Sequence, residues 1–188
     1  MRPVPRIFGG NVANNYTQWC IGIEFASQEE KQWFSNMVDK MRSYSDIFLS
    51  NPDKQENQED YEQMEKLKED LGLVAQTFDE LREFVSFDVS YTSKDGKEIA
   101  YLESEESADP AEVEYLLQAY LQKFHPTEMI SLSWASWCDK SRVNEFGGGG
   151  VLITAEGVHH MNSWDWLEDK EKELKEGKKK VKKGGKKK

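Results

Sequence analysis

Along this chain the spacing of apolar residues switches between two and three-to-four, and the order of the switches limits the folds open to it. Trp19, Ile21, Ile23 and Phe25 alternate with Cys20, Gly22 and Glu24, as on a strand with one buried face. Ser27-Gln28-Glu29-Glu30 has the form of a capping box, and Phe34, Met37, Met41, Tyr44 and Phe48 follow at helical spacing. Asn51-Pro52-Asp53 interrupts that helix. Met64, Leu67, Leu71, Val74, Phe78, Leu81 and Val85 then repeat the same seam. Two matching seams joined by a short polar connection predict an antiparallel helix pair within the chain. An intermolecular coiled coil is the competing reading, and about three heptads with Gly72 inside them are short for one.

Period two returns at Phe87, Val89 and Tyr91, and again at Ile99 and Tyr101, on either side of Asp95-Gly96, a pair suited to a tight hairpin turn. Asp109-Pro110 opens a further helix with Val113, Leu116, Leu117, Tyr120, Leu121 and Phe124 on its apolar stripe, and His125-Pro126 closes it. Ile130, Leu132 and Trp134 form another alternating run. Residues 139–150 read as a loop ending in four glycines, 151–155 and 158–161 as a hairpin about Glu156-Gly157, and Asn162-Ser163 as the cap of a last helix. The expected fold class is α+β. It is a two-layer sandwich of ferredoxin-like βαββαβ order, with the first crossover enlarged to a helical hairpin, an extra C-terminal hairpin and helix, and a disordered Lys-rich tail. Residues 1–17 are expected to be an irregular arm, 18–168 a single domain, and 169–188 the charged tail.

Charge divides the chain differently. Lys178, Lys179, Lys180, Lys182, Lys183, Lys186, Lys187 and Lys188 crowd the last eleven residues, while the whole chain carries a formal charge of −10. Without those eight lysines the remainder has 17 basic and 35 acidic residues, a charge of −18. A field of one sign selects partners of the other, which points to binding rather than chemistry. Six Trp, seven Tyr and nine Phe supply enough aromatic surface for a core and argue against general disorder. No apolar run approaches the roughly 20 residues of a membrane helix. The first ten residues are basic but lack an apolar segment, so no secretory signal is read there and a cytoplasmic location is expected. Cys20 and Cys138 make no disulfide framework, and both are expected to be reduced, buried thiols on strands.

The densest run of reactive groups is Cys138, Asp139, Lys140, Arg142 and Glu145, then the glycines, then His159 and His160. One reading makes Cys138 a nucleophile activated by a histidine, with glycine amides as an oxyanion site. Another makes Cys138, one histidine and Cys20 metal ligands, although adjacent histidines on a strand face opposite ways. The favoured reading assigns neither catalysis nor a cofactor or metal, and leaves these residues as surface or partner contacts around a turn. The glycines do not form a phosphate loop, because they precede a strand and no Gly-Lys-Ser/Thr follows. Trp164 and Trp166 are expected to dock the last helix, with a partner hot spot as the alternative.

The face opposite the apolar one should show Cys20, Gly22, Glu24, Asp88, Ser90, Thr92, Ser131 and Ser133, too polar and acidic to read RNA. Nucleic acid can be attracted only by the lysine tail, without sequence specificity. The functional expectation is a small acidic interaction module that binds a basic protein surface, pictured as an accessory or inhibitory protein of a phage or mobile element. A nucleic-acid-associated protein tethered by the tail is the alternative, and an enzyme at the Cys138/His159/His160 region is the third. No membrane partner is expected, and the sequence sets no oligomeric state.

Overall fold

A computed structural model describes residues 14–49, 57–74, 85–140 and 145–184. The fold is mixed α+β, and the described residues form four helices and one six-stranded antiparallel sheet. In chain order the elements are β1 (Asn15–Phe25), α1 (Gln28–Leu49), α2 (Gln58–Leu71) with a 3-10 turn at Gly72–Val74, β2 (Asp88–Lys94) and β3 (Lys97–Ser104). They continue with α3 (Ala111–Phe124), β4 (Met129–Cys138), β5 (Gly147–Thr154), β6 (Val158–Asn162) and α4 (Ser163–Gly184). The strands lie in the order β2-β3-β1-β4-β5-β6.

β1 is central because its alternation presents Trp19, Ile23 and Phe25 to one side along its length. It pairs β3 from Trp19↔Ser104 to Phe25↔Glu98 and β4 from Asn15↔Cys138 to Trp19↔Trp134. The buried side continues through Ala100, Leu102, Leu132, Val151 and Ile153 and is covered by α1 and α3. The ring of Phe34 lies 5.5 Å from that of Phe25 and 5.7 Å from that of Tyr120, joining sheet, α1 and α3 in one core. The Trp19 indole N–H in that core donates to the Ala108 carbonyl at 2.8 Å, as a buried donor must.

Local signals place several boundaries. Ser27 Oγ accepts from the Glu30 N–H at 3.2 Å, and the Glu30 carboxylate reaches back to the Ala26 N–H at 3.0 Å, so the capping box forms. Asp95 and Gly96 take φ of 54° and 77° in the β2–β3 turn. The α1–α2 pair packs within the chain, and Lys40 on α1 meets Asp70 on α2 at 3.0 Å.

Other expectations need correction. The second helix stops at Leu71, and the N–H of Gly72 closes it on the Lys68 and Glu69 carbonyls. Val85 is not helical, because its N–H is held by Ser45 Oγ at 3.2 Å, while the next residue, Ser86, bonds Glu112 on α3 through both N–H and hydroxyl. Phe78, Leu81 and the Phe48 side chain lie outside the described residues. The strand expected from Trp19 starts at Asn15 and takes in the last three residues of what read as an irregular arm. The glycines read as the end of a loop are the first half of β5, paired with Ser136 to Ser133. The charged segment expected to be disordered continues α4 to Gly184. Glu168–Lys172 and Glu171–Lys175, at 2.9 and 2.6 Å, place acids four residues ahead of lysines, the orientation that supports an exposed helix. Cys20, expected to be buried, is exposed on the face away from the helices.

That uncovered face carries the polar residues expected of it and more besides. Tyr16 and Trp137 stack there at 4.4 Å, beside Tyr101 over Gly22, while Met129, Leu152 and Met161 are exposed across β4, β5 and β6. The aromatic residues are therefore not confined to the core face.

Candidate functional site

The sheet separates the reactive run of residues 137–166. Cys138 ends β4, buried and opposite Asn15. Its thiol donates to Glu145, and that bond first, then desolvation, pushes it up from its ordinary value. Asp139 fastens the start of β1, accepting from the Asn14 N–H at 3.1 Å and donating its own N–H to the Asn14 carbonyl at 3.1 Å. His160 lies opposite Val151, which lies opposite Leu132. Six residues of strand, about 20 Å, therefore separate its level from Cys138. His159, one residue earlier, faces the other side of the sheet, so neither histidine activates the thiol. Carboxylates surround that sulfur and hold it protonated, the reverse of an activated nucleophile. Cys20 is also on the uncovered face, its thiol raised by desolvation and by Glu103. Among the described residues no three His, Cys, Asp or Glu side chains converge as a metal set. Lys140 follows β4 half-buried, and Arg142 lies outside the described residues.

A different group is brought together. His160 Nε2 lies 2.7 Å from Glu114 Oε2 on α3. The Glu114 side chain is only 6% exposed, whereas His160 is 55% exposed and forms the lip of a cleft. Burial pushes the Glu114 carboxyl above its ordinary value, against the lowering effect of the imidazole. The cleft holds about 570 Å³ between the start of α3, β4 and β6; Asp109, Ser107, Ser136 and Thr17 add polar groups to its wall. The indole of Trp134 forms another wall, and beyond it lies a more apolar hollow of about 550 Å³ lined by Phe146, Met161, Trp164 and Leu167.

The glycines of β5 make that arrangement possible. Trp19, Trp134 and Gly149 lie side by side on β1, β4 and β5. A Cβ on Gly149 would lie 2.3 Å from Trp134 Cζ2 and 2.6 Å from the Met161 carbonyl oxygen. Two adjacent indoles thus require a third strand without a side chain. Trp164 closes over Gly147 in the same way, with room for no Cβ beneath its indole nitrogen. It docks only in part, being 42% exposed, and Trp166 is 54% exposed, so the expected docking of both tryptophans is corrected. Asn162 caps α4 through its Oδ1, which accepts from the Asp165 N–H at 2.8 Å.

Acidic residues gather on a second surface. Glu59, Glu62, Glu65 and Glu69 recur at spacings of three, three and four on α2, all four exposed, so they form one stripe along the helix. Lys178, Lys179, Lys180, Lys182 and Lys183 fall within the backbone span of α4, whose main contacts are with β5 and β6. Lys186, Lys187 and Lys188 lie outside the described residues.

The chain matches no family model, no curated protein and no solved structure.

Proposed function

We propose that this chain is an interaction protein whose acidic folded body binds a basic surface on a partner protein. The observation that carries the reading is the α2 stripe of Glu59, Glu62, Glu65 and Glu69, on a chain whose residues 1–177 carry a formal charge of −18. Four carboxylates along one exposed face concentrate negative potential where a basic partner can reach it. In this reading residues 18–168 form the binding body and 169–188 a charged extension, in a cytoplasmic setting. The four strands β2-β3-β1-β4 are taken as a ferredoxin-like sandwich to which β5, β6 and α4 are added. The small DNA-mimic proteins of phages and mobile elements offer an analogy at the level of charge.

Affinity capture from the native host tests the reading, with the wild-type chain, a chain ending at Gly177 and the E59Q/E62Q/E65Q/E69Q variant compared. Partners should be held by the first two, released by about 0.5 M salt, and lost from the third. Equal capture by the variant overturns the assignment.

The lysines support a second reading, because the backbone span of α4 includes five of them, on a helix whose main contacts with the body are at β5 and β6. Under that reading, removing residues 178–188 abolishes binding to any DNA duplex, and wild-type binding falls steeply with salt. Duplex binding that survives the deletion removes the tether.

A further inference from the structure

We propose that the cleft beside Trp134 takes the side chain of an arginine on the partner, with an adjacent apolar residue entering the hollow across the indole. The inference rests on the reading of the body as a binder of basic surfaces and names what one site on it would recognise. The residues lining the cleft include two carboxylates, Glu114 and Asp109, one imidazole, and neither lysine nor arginine. Among them Glu114 is the group positioned for a buried ion pair. Its side chain is almost fully enclosed, and its one hydrogen-bonding side-chain neighbour at 2.7 Å, His160, is more than half exposed and can swing out. A carboxylate in such a site gains more from a cation than one in open water, because fewer water dipoles screen the pair.

The walls favour a guanidinium over an ammonium. A guanidinium is planar, stacks on an aromatic face and meets a carboxylate through paired N–H donors. Trp134 offers an indole face beside Glu114, and the Ser107, Ser136 and Thr17 hydroxyls can accept the remaining donors. At about 570 Å³ the cleft falls within the range of side-chain and small-ligand sites. The neighbouring hollow, walled by Phe146, Trp164 and Leu167 over a glycine floor, matches a large apolar side chain next to the arginine.

The test uses the full chain and a capped Leu-Arg-Leu amide, with its citrulline analogue as the uncharged control, read by the indole N–H signal of Trp134 and by intrinsic fluorescence. The arginine peptide should bind saturably and the citrulline peptide at least about tenfold more weakly. E114Q, which keeps the shape of the side chain, should lose about tenfold in affinity, and W134F should also weaken binding while retaining the circular-dichroism spectrum of the wild type. The E59Q/E62Q/E65Q/E69Q variant should bind the peptide as the wild type does. Equal affinity for the two peptides, or no change in either single variant, overturns the cleft assignment. If the cleft fails while that four-residue variant still loses its captured partners, the acidic stripe stands and only the arginine site is withdrawn.

Discussion

Replacing Gly149 with valine is expected to cost the fold about 3 kcal/mol, the upper end of what overpacking a close-packed site does. The first added carbon would already overlap the Trp134 ring at 2.3 Å and the Met161 carbonyl at 2.6 Å, and valine adds two more. Neither neighbour can move freely. Trp134 lies beside Trp19 in the sheet, and the Met161 carbonyl belongs to the backbone of β6. Chemical denaturation measures the loss. Combining the change with W134A should recover part of it, because the ring contact is relieved while the carbonyl contact is not. A valine variant as stable as the wild type would mean that Trp134 does not lie over β5, and the cleft geometry would fall with it.

Glu30→Ala is expected to cost a comparable amount, also about 3 kcal/mol, the upper range for a buried charged hydrogen-bond acceptor. The Glu30 carboxylate accepts from the Tyr120 hydroxyl at 2.7 Å and the Ala26 N–H at 3.0 Å, with His125 Nε2 at 3.2 Å. It joins the start of α1 to the end of α3, and its loss leaves the buried Tyr120 hydroxyl without its closest acceptor. Burial alone would raise the Glu30 carboxyl, but the bonds from Tyr120, Ala26 and His125 outweigh it and hold the group below its ordinary value of 4.5. A lowered folded-state value means that the stabilisation from ionised Glu30 is fully present above about pH 4.5 and fades as pH falls through the folded value. The same contact pushes the Tyr120 hydroxyl far above its ordinary value, with burial the larger cause. The wild type should therefore lose more stability than Glu30→Ala between neutral pH and pH 3. Parallel losses in the two proteins would show that Glu30 is not held as described.

What the sequence made legible was local. The Ser27 capping box, the Asp95-Gly96 turn and the stripe of α3 each depend on residues within a few positions of one another, and each formed where its pattern lay. The glycine run was misread because glycine has no side chain to alternate, and its place in β5 follows from Trp134 on the neighbouring strand. Val85 was misread because the apolar seam was carried past Gly72, while Ser45 on another helix holds its N–H. The Glu114–His160 contact spans 46 positions and leaves no local motif. One signal could have found it. Glu114 lies three residues before Leu117 on the buried side of α3, where a carboxylate needs a partner. The Tyr16–Trp137 stack is not legible in the sequence because Tyr16 falls in the segment that reads as an irregular arm, which leaves Trp137 no strand to stack across.

The position of β1 bears on how the chain is made. Among the described strands it is the first to be synthesised, yet its neighbours begin at Lys97 and end at Cys138. At roughly 5–20 residues per second, about 6 to 25 s pass between the synthesis of Asn15 and that of Cys138. Until β3 is made Trp19, Ile23 and Phe25 have no strand partner, and the α3 layer and β4 follow later still. The protein is thus committed to late, long-range closure, and the nascent strand needs shielding until its neighbours arrive.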